Sequence, residues 1–468
     1  MIRKYIQKHL CIISYPQLVI FTQITFRHYW KNMDYSTLHP PASVRGMTTL
    51  DRNAFHKIIS IPKLIVTDRN SQKVIPLIKK LLLKMDRLKP VRPLIKEEGF
   101  KEILLHPGPV TGWESLPKEL DQVGVVKTDF EFGDLELSYE NWRADEILKC
   151  VLPEDDEGLT SYSRVGHIVH INLRDHLQPY KALIGDVLKD KVPGCRTVVN
   201  KASTIDNVYR NFPIELICGE EDYQVEVKEN GVSFEFDFSK VYWNPRLATE
   251  HERIVKILQP NDVLYDVFAG VGPFSVPAAK KRCTVLANDL NPESYKWLEH
   301  NAKKNKCSGS ITTFNKDGRE FILKEVRDDL IRRLNEDSPN YKIHLTMNLP
   351  ALAVEFLDAY RGLIDPKEVD FDKTDLNYPL VHVYSFAKGE NTQEIVQKLV
   401  EDNLGLPLKD NLQSISFVRN VAPNKDMYRV AFYLTKEILT TSKSKASKRR
   451  PSEGEVVEGV SSPKIPCS

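Results

Sequence analysis

Hydrophobic and polar positions in the middle of the chain follow the pattern of a parallel sheet. Short apolar runs that end in a polar residue alternate with segments of helical character between residues 263 and 348. Continuous apolar runs of this length are typical of strands buried on both faces, and their alternation with helices indicates βα units. Because ligands in open α/β sheets bind outside the carboxyl ends of the strands, we expect the terminal polar residues to face one crevice.

Four of these strand ends carry a candidate ligand-binding side chain. They are Asp266, Asp289, Asp317 and Asn348. After the first strand, Gly270 and Gly272 allow a ligand to approach the backbone closely, and Pro273 begins the next helix. A Gly-x-Gly pair also occurs in dinucleotide-binding enzymes, but the third glycine of their fingerprint is replaced here by a serine at position 275. The full set resembles the S-adenosylmethionine site of class I methyltransferases, which favours that fold over other Rossmann-like enzymes.

The remaining pattern divides the chain into five segments. We expect a leader at 1–39, an N-terminal domain at 40–150, a small α/β module at 151–237, the methyltransferase domain at 238–437 and a disordered basic tail at 438–468. Strands are predicted at 59–64, 166–172 and 224–228, and an amphipathic helix at 74–85. Thr249 and Glu252 have the spacing of a capping box that opens a helix. The predicted fold class is α/β, with a mostly parallel class I sheet preceded by two smaller α/β domains.

Composition and charge restrict the function only slightly. A length of 468 residues fits about three domains, and the net charge of +2 does not require a nucleic-acid partner. A basic flank at 181–210 is suited to phosphate contact, although a solvated surface would have the same composition. The seven cysteines have no C-x-x-C spacing, which argues against a disulfide scaffold or a zinc site and fits a reducing compartment. We therefore expect no metal.

The first residues of the chain have the composition of an import signal. Residues 1–33 contain no Asp or Glu but carry several Lys and Arg among apolar and aromatic residues. Such acid-poor, basic segments predict mitochondrial import, and the alternative is translation from Met33 or Met47. The apolar run at 11–25 is too short and too polar to span a bilayer, so no membrane association is expected.

Three motifs and one upstream pair together resemble a narrower family. The motifs occupy residues 245–250, 266–274 and 347–351, and the pair is Tyr209-Arg210. The set is similar to the tRNA (guanine-37-N1)-methyltransferases of archaea and eukaryotes. Leu349 occupies a position that is usually proline in the archaeal form, which fits the eukaryotic branch. The resemblance implies methyl transfer from S-adenosylmethionine to N1 of guanosine 37 in tRNA. It also implies action in the mitochondrial matrix, nucleus and cytoplasm. We expect a monomer, because one chain carries both the binding module and the active site.

The same resemblance implies roles for individual residues. Guanine N1 carries a proton, so the reaction needs a general base, and this role is carried over to Glu250. Arg210 would stabilise the negative charge that develops on O6, Asn348 would hold the purine edge, and Tyr242 would shape the pocket. The implied cofactor contacts are His251, Asp266, Gly270, Gly272, Asp289, Leu290, Asp317, Gly318, Asn348 and Pro350.

Several of these assignments have a simpler structural explanation. An acidic residue in the first turn of a helix, such as Glu250, is favoured by the helix macrodipole and could serve that purpose alone. Asn348 could cap the segment that follows it, and an isolated Arg210 could be a surface residue. Two alternative functions also stay open from the residues alone. They are a class I methyltransferase acting on another RNA, a protein or a small molecule, and a non-catalytic RNA-binding protein.

Overall fold

The computed structural model describes residues 38–95, 97–154, 159, 162–201, 213–374, 376–422 and 424–441. Arg210, nearly all of the predicted leader and almost the whole predicted tail lie outside these residues. The described residues form two compact units. The first contains the residues up to 201 together with 214–222, and the second contains residue 213 and the residues from 223 onward.

The first unit contains two sheets and three helices. Its strands are β1 (Lys57–Thr67), β2 (Val91–Pro93), β3 (Phe100–Leu104), β4 (Phe130–Leu137), β5 (Ser163–Val165), β6 (Ile168–Ile171), β7 (Thr197–Lys201) and β8 (Ile214–Gly219). Its helices are α1 (Asp68–Ile78), α2 (Ala144–Val151) and α3 (Lys181–Lys191). The first sheet is antiparallel with the order β2-β3-β1-β4, and the second is mixed with the order β5-β6-β7-β8. One hydrophobic core contains Phe55, Trp142, Leu183 and Val198, and so draws on both predicted N-terminal domains.

The helix predicted at 74–85 lies closer to the N terminus in the structure. Helix α1 begins directly after Thr67, whose hydroxyl accepts a hydrogen bond from the Asn70 N–H. Its first turn is polar, so the apolar periodicity starts only at Val74. Beyond the helix, the Leu83 N–H donates to the Leu104 carbonyl. The apolar residues after position 78 therefore follow the edge of the sheet instead of extending the helix.

The second unit is organised around a seven-stranded sheet. The unit contains the strands β9 (Gln224–Glu229), β10 (Val232–Asp237), β11 (Val263–Asp266), β12 (Thr284–Asn288), β13 (Ile311–Phe314), β14 (Ile343–Met347), β15 (Leu380–Lys388), β16 (Leu412–Ala422) and β17 (Lys425–Tyr433). The last seven of them form the large sheet, and β9 and β10 form a separate hairpin. Its helices are α4 (Ala248–Ile257), α5 (Ser275–Lys280), α6 (Pro292–Lys304), α7 (Gly318–Phe321), α8 (Arg327–Leu334), α9 (Thr392–Leu404) and α10 (Lys436–Thr440). A π-helical segment at Ile322–Val326 separates α7 from α8.

The order of the strands confirms the predicted class I fold. The sheet has the order β13-β12-β11-β14-β15-β17-β16. The first five strands in this order, from β13 through β12, β11 and β14 to β15, are parallel to one another. Strand β17 is antiparallel to both of its neighbours. The strand order reverses between β11 and β14, which is the switch point where such sheets bind ligands. Buried side chains from β11, β14, β15 and β17 share one core with α8 and α9.

Two local features of the second unit differ from the sequence pattern. The hairpin β9–β10 belongs to this unit, although the pattern placed its first strand in the preceding module. Helix α4 follows a 3-10 turn at Pro245–Leu247, and the Asn244 side chain accepts a hydrogen bond from the Arg246 N–H at the start of that turn. The predicted capping box at Thr249 and Glu252 is therefore wrong, because the asparagine begins the helical segment earlier.

No helix in the described part of the chain combines the length and the apolar character needed to cross a bilayer.

Candidate active site

The structure brings the four predicted strand ends to one edge of the sheet. Asp266 is the last residue of β11, Asp289 directly follows β12, and Asn348 directly follows β14. Asp317 lies three residues after β13. These four strands are adjacent and parallel, so their carboxyl ends share the same edge. The alternation of apolar runs and polar ends in the sequence thus corresponds to a single crevice.

Asp266 is fully buried and is held by neutral donors. One carboxylate oxygen accepts a hydrogen bond from the Ser275 hydroxyl at 2.5 Å, and the other accepts from the Thr346 hydroxyl at 2.9 Å. Burial raises the pKa of Asp266 to about 6, because two hydroxyl groups offset only part of the lost hydration. Both oxygens are occupied by groups of the protein, so this carboxylate primarily fixes the end of β11.

The glycine turn after β11 is fixed by the carboxylate after β12. Asp289 accepts hydrogen bonds from the Gly270 N–H at 2.8 Å and from the Asn291 N–H at 3.0 Å, and burial raises its pKa to about 6. Gly270 has φ 55°, and a methyl group added there would meet nothing within 4 Å among the described atoms. The space beside Gly270 is therefore open to a ligand.

Gly272 has a different reason to be glycine. Its φ is 97°, and an added methyl group would come within 2.6 Å of Val276 and 2.7 Å of Leu298. The second glycine therefore lets the turn pack directly on α5 and α6, which brings the first glycine to the ligand side.

A buried asparagine that the sequence analysis missed joins three strand ends. The Asn288 side chain donates to the carbonyls of Val267 and Lys316 and accepts from the Lys316 N–H. These bonds link the segments after β11, β12 and β13. Asp317 itself accepts from the N–H groups of Arg319 and Glu320, so it caps α7 as well as lying at the site edge.

The end of β14 carries an unsatisfied acceptor. Oδ1 of Asn348 is buried, and within the described residues it has no hydrogen-bond partner. Buried polar atoms are rarely left unpaired, so a donor from a ligand would complete this site. Pro350 is half-buried close by, Leu290 is 42% exposed, and Gly318 is buried. The open space at Gly270 and the unpaired amide oxygen together fit a nucleoside-containing cofactor with hydrogen-bond donors.

Glu250 lies in the first turn of α4 with only 6% of its surface exposed. Its Oε1 accepts a hydrogen bond from the Tyr384 hydroxyl at 2.7 Å and lies 3.7 Å from Nε of Arg429. Its Oε2 lies 2.6 Å from Nη2 of Arg253. The rings of Tyr384 and Phe274 stack at 6.2 Å, and Phe274 follows the glycine turn. This buried carboxylate is therefore adjacent to the cofactor edge.

Three predicted residues remain, and the structure describes two of them, His251 and Tyr242. His251 is 3% exposed, pairs with Glu229 at 2.6 Å and packs edge-on against Phe274, so its polar contact is with the hairpin β9–β10. Tyr242 is 50% exposed. Arg210 lies outside the described residues.

Tyr384, Arg253 and Arg429 were not identified from the sequence. Tyr384 and His382 lie two positions apart in β15 and therefore on the same face, which is a weak local signal of a polar patch there. No local signal connects them to Glu250, which is 134 residues away from Tyr384 in the chain.

Comparison with known proteins places these features in a family. The TRM5/TYW2 methyltransferase domain model matches residues 225–369, and the TYW2 N-terminal domain model matches residues 144–222. A tRNA (guanine(37)-N(1))-methyltransferase of Drosophila melanogaster is 64% identical over 434 residues, which cover 92% of this chain and 94% of that protein. A protein of the same name from Danio rerio is 45% identical and covers 90% of each chain.

Solved structures agree on the fold. Trm5b from Pyrococcus abyssi has a TM-score of 0.54 and 24% identity, covering 80% of this chain and 99% of its own. A structure described as the complex of aTrm5 and tRNALeu has a TM-score of 0.55 and 23% identity, with the same coverage. The extent of identity to the curated relatives, together with the matching domain, shows that the chain belongs to the tRNA (guanine(37)-N(1))-methyltransferase family.

Proposed function

We propose that this protein transfers a methyl group to N1 of guanosine 37 in tRNA and that Glu250 is the general base. The observation that carries the assignment of the base is the position of a buried carboxylate next to the glycine turn. Glu250 contacts Tyr384, and Tyr384 stacks on Phe274 directly after that turn. A general base must be within hydrogen-bond reach of the proton it accepts, and a purine at the mouth of the crevice would meet this carboxylate.

The residues of the site have complementary parts in this reaction. S-adenosylmethionine, when bound, supplies an electrophilic methyl group. Glu250 accepts the proton from guanine N1, which turns a poor nucleophile into a competent one. Negative charge then develops on O6, and Arg210 is proposed to donate hydrogen bonds there. Asn348, whose Oδ1 has no partner among the described residues, is proposed to hold the cofactor or the purine edge. Tyr242 is exposed enough to line the entrance.

The target base must leave its stack to reach such a site. An enzyme that modifies a base edge commonly extrudes the nucleotide, at a cost of a few kcal/mol. The basic flank at 181–210 is proposed to contact tRNA phosphates.

We also propose that the protein acts as a monomer in the mitochondrial matrix, nucleus and cytoplasm. The location rests on the acid-poor residues 1–33 and the basic cluster at 443–450. Subcellular fractionation of full-length and leader-deleted chains tests it.

Methyl transfer to unmodified tRNA tests the reaction and the base together. With guanosine at position 37, Glu250→Gln should lower the single-turnover rate about 1,000-fold, while calorimetry shows retained cofactor binding. Glu252→Gln is the matched control, since Glu252 is in the same helix but pairs with Lys256 on the surface. This control should keep the wild-type rate.

Two further arms separate the substrate from the residue assignments. Arg210→Ala should also abolish turnover if Arg210 stabilises O6. Transfer to tRNA with adenosine at position 37 should be absent, and an unchanged rate there would exclude the proposed substrate. A wild-type rate for Glu250→Gln would exclude the proposed base.

A further inference from the structure

A row of buried polar side chains runs across the face of the sheet beneath Glu250. It consists of Arg429 on β17, His382 on β15 and His344 on β14, and it ends near Asp262 before β11. All four residues are at most 6% exposed. Strands β17, β15 and β14 are adjacent in the sheet, so Arg429, His382 and His344 follow the order of the strands. Two of its four members, Arg429 and His382, lie beyond residue 369, where the match to the methyltransferase domain model ends.

The direction of the hydrogen bonds in this row follows from the arginine. A guanidinium group only donates, so His382 must accept from Arg429 through Nδ1, at 3.2 Å. His382 then carries its proton on Nε2 and donates to Nδ1 of His344, also at 3.2 Å. His344 in turn carries its proton on Nε2, which faces Asp262 at 3.9 Å. Burial lowers the pKa of His344 to about 4 and holds that of His382 well below its usual range, so both rings stay neutral.

The same contacts fix the orientation of the arginine. One terminal nitrogen donates to His382, and the other donates to the Ser416 hydroxyl at 3.3 Å. With both ends of the guanidinium engaged, its Nε faces Glu250 at 3.7 Å. Nε has no hydrogen-bond partner among the described residues. Arg429 is therefore a cation held in one orientation beside the carboxylate.

Tyr384 completes the surroundings of this carboxylate. Its hydroxyl donates to Glu250, and burial together with the adjacent carboxylate holds the pKa of Tyr384 well above its usual range, so it remains a donor. The charged and titratable groups that face Glu250 are Tyr384 from β15, Arg429 from β17 and Arg253 from its own helix, with His382 behind Arg429. Hydrogen bonds and cations around a carboxylate favour its ionised form, which is the form that accepts a proton.

We propose that Tyr384 and Arg429 are positioning residues that keep Glu250 ionised and in one orientation, and that the His382–His344 pair fixes the guanidinium in this arrangement. The proposal rests on the assignment of Glu250 as the general base. It predicts that the loss of one of these donors makes the carboxylate easier to protonate. The acid limb of the pH–rate profile should then move to higher pH.

Single-turnover methyl transfer to tRNA between pH 5 and pH 9 tests this prediction. In Tyr384→Phe, the pH of the half-maximal rate should rise by about one unit, while the rate at high pH stays within about threefold of wild type. Tyr360→Phe is the matched control. It also removes a buried tyrosine hydroxyl, and that hydroxyl has no partner in the described part of the chain. It should leave the acid limb in place.

Variants of Arg429 test the second donor. Arg429→Met should move the limb in the same direction, and Arg429→Lys should return it part of the way, because lysine restores the charge without the fixed fork of donors. A purely structural role would lower the rates at every pH by the same factor and leave the limb where it is. That result in folded Tyr384→Phe would overturn the proposal.

Direct observation of the carboxylate separates this proposal from that of the base. Protein labelled with carbon-13 at glutamate Cδ gives a resonance that Glu250→Gln identifies by its absence. Its titration midpoint should rise by about one pH unit in Tyr384→Phe. An unchanged midpoint would overturn the inference, even if the rates change. If Glu250→Gln instead keeps the wild-type rate, the proposed base is wrong, while the measured midpoint still reports whether Tyr384 acts on Glu250.

Discussion

Two buried carboxylates near the edge of the same sheet are surrounded in different ways. Among the described residues, the carboxylate of Asp266 at the end of β11 receives its side-chain hydrogen bonds from the hydroxyls of Ser275 and Thr346. Glu250, on α4, is surrounded by Tyr384 and two arginines. Within the described part of the chain, no cation is in direct contact with the Asp266 carboxylate, which is held as part of the scaffold. The second environment places a hydroxyl donor and two guanidinium groups around the proposed general base.

The two regions also differ in how they are assembled. The cofactor edge is built from loops directly after β11, β12 and β13, and the Gly270 N–H contacts a carboxylate only 19 residues away. The face beneath Glu250 joins side chains from β14, β15, β17 and α4, which the fold alone brings together. The cofactor edge depends on backbone geometry, whereas the surroundings of Glu250 depend on long-range packing. Substitutions in the two regions should therefore fail in different ways.

The largest effect that would break the cofactor edge is expected for Gly272→Ala. The added methyl group would collide with Val276 and Leu298, and the positive φ disfavours alanine. We expect a loss of about 4 kcal/mol in the free energy of unfolding, measured by chemical denaturation. Gly309→Ala is the control, since its methyl group would meet nothing within 4 Å of the described atoms and no positive φ is involved. Equal stability of the two variants would contradict the close packing of the turn.

A somewhat smaller effect is expected from the pH dependence of Asp266. Its pKa rises from an ordinary 3.8 to about 6 in the folded protein, so folding favours the protonated form. This contribution is complete below pH 3.8 and is lost as the pH rises through 6. Asp266→Asn should therefore flatten the fall in stability between pH 4 and pH 7 by roughly 3 kcal/mol.

Denaturation curves at pH 4, 5, 6 and 7 measure this change. Asp410→Asn, on the surface, should keep the wild-type pH dependence. If stability falls more steeply with pH in Asp266→Asn than in the wild type, the description of Asp266 as a buried carboxylate held by neutral hydroxyls is wrong.

The smallest effect is expected at Asn348, which directly follows β14. Its Oδ1 has no hydrogen-bond partner among the described residues and is available to a ligand. Asn348→Ala should weaken S-adenosylmethionine binding about tenfold, which corresponds to about 1.4 kcal/mol, and should leave the stability of the ligand-free protein nearly unchanged. Calorimetric titration gives the affinity. Unchanged affinity with a slower rate would assign the residue to the purine instead of the cofactor.

The cofactor edge was predictable from the sequence because its parts are local. An apolar run followed by Asp266 and two glycines specifies a strand, a turn and a helix within a short segment, and periodic repetition of polar strand ends specifies one crevice. The capping box failed for a related reason, since Asn244 lies outside the segment that carried the pattern and begins the turn first.

The surroundings of Glu250 could not be predicted in this way. Arg429 and Tyr384 are opposite each other on antiparallel strands, and they become neighbours only when β17 inserts beside β15. Asn288 could not be predicted because its buried side chain binds the backbone at Val267 and Lys316, which only the fold brings beside it.

The side-chain amide of Asn288 connects the three loops after β11, β12 and β13 by hydrogen bonds. It binds the backbone on both sides of β12, at Val267 and Lys316. An insertion or deletion in any one of these loops would therefore displace the other two. The lengths of these three loops are therefore constrained together. A new ligand preference would have to arise by exchanging side chains on loops whose backbone keeps its course.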